Sequence, residues 1–315
     1  MANINATGTV FNLPNYSGEL FTADATQTPF LSMIGGLTNG GLQADNFEFA
    51  TSSLYSFPTA SQPAISEDGS LTAPTATSYV RSQATNVTQI FHEKVSVSYE
   101  KLSNGGRLSG VTGNGATNNA PSEKDFQIAS ALQKIARDVN YTLINGVYQK
   151  ATASNVANKT RGLIDLCSTT NTIAGAGATL TKAMIQSLLL EMYNNGATFS
   201  NMVMFVNGFQ KQKNSEIYGY APTDRNVGGL NIKQLETDFG NIGICLDRFV
   251  PANTVLLAEM SVIAPVFQPV PAKGNFFYEE LSKTGASEEG QIYGKIGLDH
   301  GPAFMHGTIT GLATV

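Results

Sequence analysis

The chain has 315 residues, 42% of them hydrophobic, enough for one large or two medium domains around a sizeable core. Only 14% are charged, against about 25% in an ordinary soluble domain, which points to a surface largely covered by other chains. The net charge of −5 argues against a dedicated nucleic-acid reader, whose domain is basic.

Residues 1–80 hold six acidic side chains and no Lys or Arg, whereas 81–315 carry one net positive charge. The first 35 residues read as an extended arm in which isolated apolar side chains (Val10, Phe11, Leu13, Leu20, Phe21) alternate with Gly, Asn and Thr. They lack the basic start and apolar run of a secretory signal. Pro29-Phe30-Leu31-Ser32-Met33-Ile34 predicts a short helix, opened by the proline and stopped by Gly35-Gly36. Residues 39–90 read as a long, sparse hairpin. Strand-like stretches at 46–51, 55–57, 78–81 and 85–91 flank a middle rich in Ser, Thr, Pro and Ala. Such a ribbon has little apolar mass and is marginal alone in water. The aromatics Phe47, Phe49, Tyr55 and Phe57 therefore suggest contact with a neighbouring chain.

His92–Tyr99 alternates as a strand, and residues 103–120 form a Gly/Asn-rich loop. Over Pro121–Gln149, apolar residues recur with a helical period through Phe126, Leu132, Ile135, Val139, Leu143 and Val147. Helices at 180–195 and 208–218 and strands at 201–206, 241–246 and 254–257 build an α/β unit. Strands at 262–270, 275–278, 291–298 and 303–310 close the chain. This order predicts an α+β fold.

Chemistry-bearing patterns are sparse. Cys167 and Cys245 are too few for a disulfide framework or zinc cluster and read as core residues. Asp299-His300 and His306 lack further ligands and read as turn or surface residues. Gly175-Ala176-Gly177 lacks the third glycine of a dinucleotide loop. No apolar run is long enough for a membrane span. The expectation is a chain with no catalytic, cofactor-binding or metal residues, no cofactor and no enzymatic activity.

Four stretches carry a resemblance: FTADATQTPFLSMIGGL at Phe21–Leu37, QIFHEKVSVSY at Gln89–Tyr99, QIASALQKIARDVNYTLING at Gln127–Gly146, and Glu280–Leu312 with Lys283-Thr284-Gly285 and Gly294-Lys295-Ile296-Gly297-Leu298. In this order they resemble the major capsid (major head) proteins of tailed bacteriophages, with the Hong Kong 97-like, or Johnson, fold. The resemblance implies an N-terminal arm (1–38), an extended β-loop (39–90), and a peripheral domain (91–160) with a spine helix at 121–149. It further implies an axial α/β domain (161–265) and return strands of the peripheral domain (266–315).

It also implies a virion protein, assembled in the bacterial host cytoplasm into hexamers and pentamers of an icosahedral head around double-stranded DNA. Its partners would be copies of itself, a portal, and separate scaffold or decoration proteins, with DNA only nearby and no membrane. Hinges between five- and six-fold rings would fall in the glycine-rich 103–120 and 226–229. Two departures stand out. Asn140 occupies a spine-helix position where the resemblance leads one to expect glutamate. The first lysine is Lys94, so the long loop offers none for cross-linking, and a non-covalent shell is expected. A secreted or surface β-rich adhesin and a cytosolic enzyme are the alternatives; the missing export signal weighs against the first and the missing polar constellation against the second.

Overall fold

A computed structural model describes residues 27–37, 41–55, 57, 59–103, 123–218, 225–227, 230–283 and 285–314. The elements begin with α1 (Pro29–Met33), β1 (Leu42–Gln43), β2 (Glu48–Tyr55), α2 (Glu67–Ser70), β3 (Arg81–Val87), β4 (Gln89–Ser98), α3 (Tyr99–Ser103) and α4 (Glu123–Asn145). There follow α5 (Leu163–Cys167), β5 (Thr172–Ala174), α6 (Lys182–Asn194), β6 (Met202–Val206), α7 (Gly208–Tyr218), β7 (Arg225–Val227), β8 (Leu230–Thr237) and β9 (Gly240–Leu246). The chain closes with β10 (Val255–Glu259), β11 (Ala264–Phe267), β12 (Phe276–Glu280), β13 (Ser287–Asp299) and β14 (Gly307–Thr310).

α1 forms where its proline predicts it. Gly35 and Gly36 end it at φ 111° and 76°, a region that side chains other than glycine rarely enter. Phe30 and Leu31 are buried, and the Phe30 ring meets Phe205 edge-on at 5.3 Å.

One sheet of five strands is organised around β13. This strand pairs antiparallel with β4 along Ser287–Ile296, with β12 along Gly290–Gly294, and with β11 along Ile296–Asp299. Alternate residues of β4 (Phe91, Val95, Val97) and β13 (Ile292, Ile296, Leu298) are buried, the period-two signature of a half-covered sheet. The covering element is α4, whose Ala131, Ile135, Val139 and Leu143 recur every four residues and share that core. At 1.5 Å per residue α4 spans about 35 Å. Predicted to run over 121–149, it stops at Asn145. The Gly146 and Gly162 backbones pass so closely that a Cβ on Gly162 would lie 2.5 Å from Gly146 N, and Val147 faces solvent instead of extending the apolar stripe.

The second sheet has seven strands in the order β5-β14-β10-β6-β9-β8-β7. It is mixed: β6/β9 and β14/β5 run parallel, the remaining pairs antiparallel. β6 and β10 are buried along their whole length, as continuous apolar runs require when both faces are covered. Met204, Val206, Val255 and Leu257 pack with Ile185, Leu188, Leu189 and Met192 of α6. Val203, Phe205, Leu256 and Ala258 belong to the core that contains α1, α4 and α5. The two cores are therefore joined through the two faces of the same central strands.

Several predicted elements differ. β7 and β8 form a hairpin that adds to this sheet, so Arg225–Val227 is strand, and 228–229 lie outside the described residues. So do most of the 103–120 loop and the first 26 residues. The predicted strand at 303–310 begins instead as a 3-10 turn (Ala303–Met305) before β14. α5 and β5 were not predicted; each is too short for a periodicity to register.

Candidate functional site

β2 and β3 form a two-stranded sheet of their own. Its inner end is fastened to the five-stranded sheet. Asn86 is fully buried: its Oδ1 accepts from the N–H groups of Arg161 (2.8 Å) and Val87 (2.9 Å), and its Nδ2 donates to the carbonyls of Leu298 (2.8 Å) and Arg161 (3.3 Å). The Thr88 hydroxyl donates to Gln268 Oε1 at 3.0 Å, and its N–H to the Phe47 carbonyl at 2.7 Å. Lys150 reaches Glu48 at 2.6 Å. The hydrogen bond holds the Glu48 carboxyl below its ordinary range and the Lys150 ammonium above its own.

β13 presents glycine at 290, 294 and 297, each beneath an aromatic ring: Tyr278, Phe276 and, from the ribbon, Phe49. A Cβ on Gly297 would lie 2.8 Å from the Phe49 ring and 2.9 Å from the Val87 carbonyl, so only glycine lets the ribbon come this close. Predicted to contact a neighbouring chain, Phe49 is thus held by its own chain, while Phe47 remains partly exposed.

At Thr51 a bulge interrupts the β2–β3 register; bulges bend a strand and raise its local twist. Beyond it the ribbon loses its support. Described residues 57 and 59–80 are all exposed. Ser66 caps the one-turn α2, its Oγ accepting from the Gly69 N–H at 3.0 Å. Tyr55, Phe57 and Tyr79 stack edge-on in sequence at 5.3 and 5.5 Å yet are 63%, 69% and 54% exposed. Ile65, Leu71 and Val80 join them as exposed apolar side chains. A patch this apolar on a projecting arm marks an interaction surface.

The residues weighed for chemistry lie within the fold as follows. His300 and His306, predicted as turn or surface residues, are deeply buried; the short apolar run 302–305 between them was the local signal, set between Gly301 and Gly307. Burial pushes both imidazoles down to about 4. Cys167 and Cys245 are free and buried, and burial raises their thiols to about 12 and about 11. A strand, β5, does precede Gly175-Ala176-Gly177, but the Gly175 and Gly177 N–H groups bond the Thr310 and Gly311 carbonyls at 2.6 and 2.7 Å and have none left for a phosphate. Lys94 pairs with Glu289 at 2.7 Å. Among the described residues no cluster of three His, Cys, Asp or Glu side chains could hold a metal ion, and no helix is long and apolar enough to cross a membrane. Asn86 stands in no motif that marks it as an anchor.

Comparison with known proteins places this architecture. The fold is similar to the capsid of cyanophage A-1(L), with a TM-score of 0.64 and 13% identity over 96% of this chain and 97% of that one. It is similar to the SrpI encapsulin of Synechococcus elongatus PCC 7942, with a TM-score of 0.62 and 10% identity over 96% and 93%. It is also similar to the capsid of Myoviridae phage XM1, with a TM-score of 0.59 and 14% identity over 96% and 98%. At such identities the likeness shows the Hong Kong 97-like fold alone. No curated protein matches by sequence. A model of the SU10 major capsid protein family, in contrast, matches residues 3–313. The chain belongs to the SU10 major capsid protein family: it is a major capsid protein of a phage and forms the capsid shell.

Proposed function

We propose that the chain builds this shell as non-covalent rings of five and six copies enclosing double-stranded DNA, as a structural protein without catalytic activity, and that the ribbon tip is what each copy lays on the next. The observation that carries this reading is the exposed Tyr55–Phe57–Tyr79 stack at the end of an arm with no core beneath it. Burying such side chains stabilises by about 1.5–3 kcal/mol each, and repetition around closed rings multiplies modest contacts. The seven-stranded unit would take the axial position, with α4 and the five-stranded sheet peripheral. Portal, scaffold and decoration proteins would be separate partners, with assembly in the host cytoplasm.

The test is a truncation, and the buried base dictates where to cut. Removing all of 39–90 would take out β1, which pairs with β11, together with Asn86, Val87 and Thr88. Replacing residues 57–79 by an Asn-Gly turn removes, among the described residues, only exposed chain. The expected product melts within about 3 °C of the parent, in line with the loss of surface contacts alone, and yields at least tenfold fewer closed particles in negative stain. Parent-like shells would refute the role of the tip, and an unfolded product would refute its independence from the core.

A further inference from the structure

We infer that Asn86 is a positioning residue for assembly: it fixes the direction in which the ribbon leaves the subunit, and through that direction the curvature of the shell. The inference rests on the proposed laying of the tip on a neighbour, and adds to it that the arm's direction is set by its own subunit rather than by whatever it lands on.

The geometry separates the ribbon into two regimes. Outside the bulge, among the described residues, the strands are joined to each other by their ladder and by the cross-strand bond from Gln83 Nε2 to Ser53 Oγ at 3.4 Å. Inside it, the return strand is bound on three sides. Asn86 pairs with both backbone groups of Arg161, as a neighbouring strand would, and with the carbonyl of Leu298 on β13. Around it, Gln89 Oε1 accepts from the Thr160 N–H at 3.2 Å, and the Thr160 hydroxyl accepts from the Leu298 N–H at 3.3 Å. Residues 160 and 161 are thus wedged between the root of the ribbon and the end of β13. The Arg161 side chain is held in turn, its guanidinium 4.6 Å above the Tyr148 ring and 3.2 Å from Asp165.

Every hydrogen-bonding valence of the Asn86 side chain is used, on partners from two other segments. A side chain needed only to close a hairpin would not require this. A long arm converts a small rotation at such a root into a large displacement at its tip, and buried, fully satisfied polar contacts specify one arrangement rather than several.

The experiment expresses the full chain with Asn86→Ala and measures particle diameters by electron microscopy. A comparator, Leu189→Ala, is lowered in melting temperature by a core loss far from the ribbon. The expected result is that Asn86→Ala subunits fold and associate but give diameters spread at least twofold more widely than the parent, with open sheets or tubes, while Leu189→Ala keeps the parent distribution. The parent distribution from folded Asn86→Ala would overturn the inference. So would a complete absence of association, because a misdirected arm still carries its aromatic tip. Should Asn86→Ala fail to fold, Thr88→Val preserves the side-chain shape and removes the tie to Gln268, and it is read by the same diameters. Failure of the shell reading itself is distinguished by the 57–79 replacement, which would then still assemble.

Discussion

Asn140→Asp, a change of one amide to one carboxylate in the middle of α4, is expected to leave the subunit about 3 kcal/mol less stable than the parent at about pH 7.5, a deficit that narrows on acidification to about pH 5. Asn140 is fully buried and works as a relay with a fixed polarity. Its Oδ1 accepts from the Leu31 N–H at 2.8 Å, and its Nδ2 donates to Asp247 Oδ2 at 3.0 Å. The other oxygen of Asp247 accepts from the Phe249 N–H at 2.9 Å. One side chain therefore ties α1, α4 and the loop after β9. Only an amide both accepts from one neighbour and donates to the next; the glutamate expected at this position would set an acceptor against the Asp247 carboxylate.

In the Asn140→Asp variant two buried carboxylates face each other, so one is expected to hold a proton. Its pKa in the folded state is then raised, and the associated stability is present below that pKa and lost as pH rises through it. Denaturant midpoints measured on the unassembled subunit across this range check the point. Parent stability at pH 7.5, or a deficit from the parent that does not narrow in acid, would exclude the relay. Asn140→Leu isolates the remainder: it strands the Leu31 N–H and one oxygen of Asp247, and its deficit from the parent is expected not to narrow in acid.

How far the fold could be read from the sequence follows from what each element depends on. α4, β4, β6 and β10 were legible because long periodic or unbroken apolar runs leave one solution for burial. The ribbon was legible for the opposite reason: residues 39–90 hold too little apolar mass to support themselves. Where it stops being self-supporting was not. The boundary at Thr51 depends on a close approach of Phe49 to Gly297 and on Asn86 bonding residues 161 and 298, pairings between segments far apart in sequence that no local pattern encodes. The same holds for the histidines. Gly301, Pro302 and Gly307 make their surroundings in the chain turn-like, and their burial comes from two strands crossing between sheets at the same place.

That crossing is expected to make the subunit acid-sensitive. β10 leaves the seven-stranded sheet for β11, and β13 returns to it as β14; His306 joins the two passages. Its Nδ1 accepts from the Glu259 N–H at 3.2 Å, so its Nε2 carries the proton that it donates to the His300 carbonyl at 2.7 Å. His300 in turn uses Nδ1 to donate to the Gly301 carbonyl at 2.7 Å, and burial with the nearby Arg161 charge opposes its second protonation. A proton added to His306 sets N–H against N–H. With folded-state values depressed from 6.5 to about 4, the unfolded chain binds these protons first. The neutral imidazoles then contribute stability that is complete above about pH 6.5 and lost as pH falls towards about 4.

The slope is about 1.4 kcal/mol per pH unit for each histidine, on the order of 3 kcal/mol apiece over the window. The carboxylates held low by lysine partners, Glu48, Glu279 and Glu280, titrate below it and do not mimic the effect. Denaturant midpoints of the subunit are expected to fall steadily from about pH 7 to about pH 5. His306→Gln should be less stable at pH 7 and show a slope reduced by about half, because one of the two proton-binding sites is gone. A midpoint that stays level from pH 7 to pH 5, or an undiminished slope in His306→Gln, would place the acid sensitivity elsewhere.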